Sequence, residues 1–221
     1  MKRLDLRLYA LVDPAQSGGH EPVALARAAA AGGAGLVQLR DKTGTTRAMV
    51  ARAKAVVAAL EGSGVPVLIN DRVDVALAAG AAGVHLGQED MPPDIARRLL
   101  GKRAIIGITV RSEEEAENAA VDVADYVGVG GVFSTVSKDN LTAPIGLAGL
   151  GRLAGLLRAR RADILLVAIA GIDAGNAADI IAAGADGVAV ISALAKARDP
   201  EAAARELRAI VDAALKERNA S

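Results

Sequence analysis

Short apolar runs alternate along the whole chain with Ala-rich stretches of helical period, and this alternation restricts the fold more than any other feature. The β-type runs are Leu8 to Val12, Leu36 to Leu39, Val65 to Ile69, Val84 to Leu86, Ala104 to Ile108, Tyr126 to Val129, Leu165 to Ile169 and Val188 to Ile191. Between them the pattern predicts helices at Pro22 to Ala31, Thr45 or Thr46 to about Leu60, Val73 to Ala79, Asp94 to Leu100 and from Ser112. Three more follow at Gly146 to Arg160, Ala174 to Ala183 and Pro200 to Lys216. About eight strand-helix units result, the number a (β/α)8 barrel requires. Strands such as LLVAI and GVAVI show little alternation, as parallel strands buried on both faces should. The phrase AAGAAGVHLG at Ala78 returns as AAGADGVAVI at Ala182, one helix-to-strand turn used twice. An open doubly wound sheet competes, but GxGxxG is missing after the first strand, and GVGGVF at Gly128 comes late with the wrong spacing. The reading is therefore α/β, a single (β/α)8 TIM barrel, with residues 1–221 as one catalytic domain.

Composition narrows the function. With 52% hydrophobic residues over 221 positions, the chain can bury a large core. Lys+Arg and Asp+Glu balance at 26 each, so no basic field invites nucleic acid, and 1% aromatic content leaves nothing to stack bases on. The absence of Cys excludes disulfides and thiolate metal sites and agrees with a reducing compartment. The start, MKRLDLRLYALV, lacks an uncharged signal-peptide core, and the apolar run Ile164 to Ile172 falls far short of the roughly 20 residues of a spanning helix. A soluble, cytoplasmic protein with small-molecule partners, and neither nucleic acid nor membrane, is expected; monomer and homo-oligomer both stay open.

Leu68 to Asp90 carries the clearest chemistry, reading as strand, helix and strand with Asp71 and Asp90 at the two strand ends. Parallel neighbours lie about 4.8 Å apart, so both carboxylates could share one cation. A hard oxygen site with few protein ligands suits Mg²⁺ that also carries phosphate oxygens. Taken singly, each Asp equally reads as the N-cap of the helix after it. The other strand ends supply Gln38, Arg40, Lys42, Asn70, Thr109, Arg111, Thr135, Ser137, Lys138, Gly171 and Ser192, cations and hydroxyls that face the carboxylates and suit a phosphorylated substrate. The last two strand ends, around Gly171 and Ile191-Ser192, occupy the loops where barrels often bind phosphate, so two phosphate groups are expected. No nucleophile and base pair is evident, and His85, between Val84 and Leu86, reads as a satisfied barrel residue. An enzyme so equipped works by positioning and electrostatics.

QLRDK at Gln38, INDRVDVALAAGAAGVHLGQED at Ile69, IIGIT at Ile105, ADYVGVGGVFSTVSK at Ala124, APIGLAGL at Ala143, AIAGI at Ala168 and GADGVAVIS at Gly184 together resemble the thiamine phosphate synthases, in order and over nearly the whole chain. The resemblance implies a barrel that joins hydroxymethylpyrimidine diphosphate to a thiazole phosphate, releasing diphosphate and forming thiamine phosphate with Mg²⁺. By position it implies that Gln38, Leu39, Arg40, Asp41, Lys42, Asn70, Thr109 and Lys138 hold the pyrimidine diphosphate, and Asp71 and Asp90 its metal. Lys138, Arg40 and Lys42 are the cations that would neutralise the departing diphosphate. Thr135, Val136, Ser137, Gly171, Ile191 and Ser192 would hold the thiazole phosphate.

The chain departs from the family pattern in places. Thr109 stands where Ser is more usual, Ser137 for Thr, Ser134 for Pro, Ala170 for Gly, and Arg111 for a common His. Two rivals remain: a thiazole tautomerase of the same barrel, which lacks the Asp pair and depends on the His that Arg111 replaces, and a non-catalytic phosphate-binding barrel that senses precursors. Asp90 and Lys138 speak against the second.

Overall fold

The structure is a computed structural model that describes residues 4–135 and 143–220. Eight parallel strands close into a barrel, each hydrogen-bonded to the next in sequence and the last to the first. They are β1 Leu8–Val12, β2 Leu36–Leu39, β3 Val67–Asn70, β4 Gly83–Leu86, β5 Ile105–Val110, β6 Tyr126–Val129, β7 Leu165–Ile169 and β8 Gly187–Val190. The helices are α1 Pro22–Ala31, α2 Thr46–Ala59, α3 Val73–Ala79, α4 Pro93–Leu100, α5 Glu113–Asn118, α6 Gly146–Arg160, α7 Ala177–Ala182, α8 Ser192–Ala195 and α9 Pro200–Ala220. The expected strands and helices are present, with bounds differing by a few residues, and the barrel displaces the open-sheet alternative. Closure rests on the pairing of Leu8, Tyr9 and Ala10 with Val188, Ala189 and Val190.

Alternation along each strand divides the core in two. Leu8, Ala10 and Val12 face outward into the large layer between barrel and helices, while Tyr9 and Leu11 face inward with Leu36, Leu68, Tyr126, Val167 and Ala189. Both faces of the strands are therefore apolar, as the sequence runs imply. At the ends away from the site, Asp125 accepts the Ile106 N–H at 2.8 Å and Arg97 at 2.7 Å, and Asp186 accepts the Leu166 N–H at 2.9 Å and Arg158 at 3.0 Å. Each carboxylate ties two adjacent strands to a helix there, and polar residues at that end of a barrel serve stability. Among the described residues, no helix is long and apolar enough to cross a membrane.

Candidate active site

The two carboxylates of the β3–β4 unit meet at the rim where the strands end. The Asp71 N–H donates to the His85 carbonyl on β4 at 2.8 Å, and the chain at Asp71 takes φ +61, a left-handed conformation that Asp tolerates better than most residues. Neither Asp caps a helix: the N-cap of α3 is Arg72 and that of α4 is Pro92, both without a side-chain cap bond. The capping alternative is thereby overturned. Asp90 instead accepts the Gly87 N–H at 2.6 Å, within its own loop. Burial pushes the Asp90 carboxyl above its ordinary range, and hydrogen bonding and charge from Asp71 add to the rise; the Gly87 N–H and Lys42 oppose it. Lys42 is ion-paired with Asp71. Two close carboxylates, with that of Asp90 partly desolvated and raised, form a site that a cation would relieve. Among the described residues, no group of three or more His, Cys, Asp or Glu could hold a metal, so a cation on this pair must complete its shell with substrate and water oxygens.

The run after β2 divides its labour. Gln38 points into the barrel at 1% exposure, its Nε2 donating to the Tyr9 hydroxyl. Its Oε1 is buried and has no hydrogen-bond partner among the described residues, and Gln38 lines a recess together with His85 and Thr109. Leu39 packs in the outer layer, so only its backbone can serve a ligand. The Arg40 guanidinium is ion-paired with buried Asp13. Asp41 is committed to its loop: it accepts the Gly44 N–H at 2.8 Å and the Thr43 N–H at 3.2 Å, and pairs with Arg52. Asn70 ends β3, beside His85 in register. Arg111 uses its backbone N–H on Glu115 at 2.6 Å, while its side chain lies where a Cβ on Gly130 would come to 3.3 Å.

A second recess opens at the ends of β7 and β8, where Thr135, Gly171, Ile191 and Ser192 meet around Ala170. Gly171 has φ +66, and a Cβ there would lie 2.6 Å from the Ser134 carbonyl oxygen, so the preceding loop closes directly on it. Ala170, with φ +93, occupies a backbone conformation that glycine adopts without strain and alanine does not. Ser192 opens α8, which the sequence did not reveal. Val136, Ser137 and Lys138 lie outside the described residues.

Sequence reasoning missed the partners of Gln38 and His85. The Tyr9 and Tyr126 hydroxyls are 2.9 Å apart, His85 Nδ1 is 2.8 Å from the Tyr126 hydroxyl, and His85 Nε2 is 2.8 Å from Thr109 Oγ1. Only two Tyr occur in the chain, both in strands otherwise built of aliphatic residues and glycine, and that rarity was the available signal. Burial raises both phenols well above their ordinary value, so both keep their protons.

Fold and site define the class: a (β/α)8 barrel whose polar side chains gather where the strands end, around two neighbouring recesses. A family model described as thiamine monophosphate synthase matches residues 8–194. The chain is 51% identical over 218 residues to a thiamine-phosphate synthase of Agrobacterium fabrum, covering 99% of both chains. It is 47% identical over 208 residues to one of Chloroflexus aurantiacus, covering 94% of both. The solved thiamine phosphate pyrophosphorylase from Pyrococcus furiosus superimposes with a TM-score of 0.83 at 39% identity, over 96% of this chain and 98% of that one. The chain belongs to the thiamine monophosphate synthase family, enzymes of the transferase class.

Proposed function

We propose that the chain, acting as one catalytic domain, joins an aminopyrimidine diphosphate to a thiazole phosphate, releasing diphosphate and forming thiamine phosphate. The observation that carries this reading is the Asp71–Asp90 pair in contact with Lys42, on the rim beside the Gln38 and Thr109 recess. A catalyst of thiazole chemistry alone has no use for a cation site there. The recess at Gly171 and Ser192 supplies a second anion subsite, as the second substrate requires.

The donor set fits Mg²⁺: Asp71 and Asp90 would hold it through hard carboxylate oxygens. When bound, it supplies positive charge to the diphosphate oxygens. The chain's own residues do the rest. Gln38 and Thr109 orient the pyrimidine ring, and Lys42 adds charge at the leaving group. Arg40 holds Asp13 and, through its backbone and guanidinium, shapes the same rim. Lys138 is assigned to the diphosphate from the resemblance, as Val136 and Ser137 are to the thiazole phosphate with Thr135, Gly171, Ile191 and Ser192. The methylene C–O bond breaks with its electron pair leaving on diphosphate, and the thiazole nitrogen lone pair forms the new C–N bond. The amino group on the pyrimidine stabilises the cation between these events, so no protein base is needed, in keeping with a rim where neither His nor Cys acts as nucleophile.

The test is a coupling assay. Diphosphate release should require pyrimidine diphosphate, thiazole phosphate and Mg²⁺ together, because a pyrimidine-methyl cation is useful only if a thiazole traps it. Release at a comparable rate with the pyrimidine alone would overturn the reading.

A further inference from the structure

Five side chains, one from each of five strands, form one unbroken hydrogen-bond chain across the barrel: Gln38, Tyr9, Tyr126, His85 and Thr109. The barrel makes room for it with two strand glycines. A Cβ on Gly107 would overlap the Tyr126 ring, and one on Gly128 would lie 3.1 Å from the His85 ring. The Tyr9 and Tyr126 rings meet edge to face at 84°, which holds both hydroxyls at the centre.

The direction of every bond follows from donor accounting. Gln38 Nε2 can only donate, so the Tyr9 hydroxyl accepts from it and must donate to Tyr126. The Tyr126 hydroxyl then donates to His85 Nδ1, which leaves the imidazole proton on Nε2, donating to Thr109 Oγ1. Thr109 is left with its own hydroxyl proton to give, and Gln38 with its unpartnered Oε1 to accept, and both residues line the same recess. Reversing either end means reversing all of it.

We propose that Tyr9, Tyr126 and His85 are positioning residues that lock Gln38 and Thr109 into opposite hydrogen-bonding polarity, so that the recess accepts a ring presenting an amine donor with a ring-nitrogen acceptor and rejects one presenting two acceptors. This rests on the pyrimidine reading above and extends it to Tyr126 and to Tyr9 and His85, the latter two of which line the recess themselves but act here through Gln38 and Thr109. A buried acceptor facing another acceptor is left unpaired, and sites of this kind discriminate far more strongly than an apolar pocket does.

Two measurements test it. The chain has only two histidines, so ¹⁵N spectra of the imidazoles resolve His85 directly, with His20→Asn giving the assignment. In the protein without substrate, His85 should be the neutral Nε2–H tautomer with Nδ1 accepting, and Tyr126→Phe should abolish that preference. A wild-type His85 carrying its proton on Nδ1, or on both nitrogens, overturns the relay whatever the coupling assay gives. The second measurement is the ratio of kcat/KM for the amino substrate to that for its analogue with methoxy in place of the amine. Tyr126→Phe should reduce this ratio about tenfold or more, since Gln38 is then free to turn its Nε2 toward the methoxy oxygen. Equal losses on both substrates would mean a structural role only and would overturn the proposal. Tyr9→Phe cuts the same chain one link earlier and must give the same change in ratio if Tyr126→Phe does not fold. A failed coupling assay with the expected tautomer would instead reject the substrate reading.

Discussion

Replacing Asp90 by Asn separates a cation site from a structural tie, because the two roles move stability in opposite directions. The Asp90 carboxyl is raised above its usual 3.8 by burial first and then by Asp71. A carboxyl whose folded pKa exceeds its unfolded value favours the fold only in acid, and that contribution is lost as pH rises through the folded pKa. At neutral pH the ionised group therefore burdens the metal-free protein. Asp90 is partly solvated, and charge interactions at such sites are worth about 1 kcal/mol or less. Asn keeps an oxygen for the Gly87 N–H, now 2.6 Å from the carboxylate, and removes the charge facing Asp71. The Asp90→Asn protein in chelator should melt higher than wild type, by about 2–4 °C at most for a chain of this size. The gap should close as pH falls well below the ordinary carboxylate range, where wild-type Asp90 is protonated in both states. In the same variant the Mg²⁺ concentration for half-maximal turnover should rise by about tenfold or more, since half of the protein's ligand set has lost its charge. The assay is thermal melting in chelator across pH beside a Mg²⁺ titration of coupling. A lower melting temperature with an unchanged Mg²⁺ midpoint would show that Asp90 serves only to hold Gly87, and would refute the cation site.

Two other expectations concern the anion subsites. Lys138→Ala should lower kcat more than it weakens thiazole phosphate binding, because its charge is needed as the diphosphate departs; steady-state kinetics that show only a thiazole phosphate KM effect would put Lys138 in the other subsite. Ala170→Gly should raise the melting temperature, since an L-residue in the left-handed region costs about 1–2 kcal/mol and the added chain entropy of glycine offsets only part of that. A lower melting temperature would mean that φ +93 carries no strain at this position.

The barrel was legible because its strands are buried on both faces and so stand out as apolar runs between Gly-terminated helices. The four-residue helix Ser192–Ala195 is too short to show a period and was not legible. Of the site, Gln38, Lys42, Asp71 and Asp90 stood out because polar residues directly after apolar strands mark the rim. Their partners did not: Tyr9 and Tyr126 are 117 residues apart and meet only when the barrel closes, and each alone reads as an ordinary strand residue. The same holds for Asp13, whose pairing with Arg40 depends on β1 lying beside β2.

Asp71 shows where the local rule fails and why. An Asp one or two residues before a helix has the chemistry of an N-cap, and a cap residue takes extended backbone angles so that its side chain can reach back to the first-turn amides. At Asp71 the backbone N–H is already given to the His85 carbonyl, one step beyond the last β3–β4 register pair, and the chain then turns through φ +61. That turn removes Asp71 from the cap position and leaves Arg72 there, without a side-chain cap. Pairing between strands thus overrides capping within one segment. The same pairing places the carboxyl of β3 beside that of the β4 loop, so the interaction that defeats the local reading is the one that builds the acidic pair.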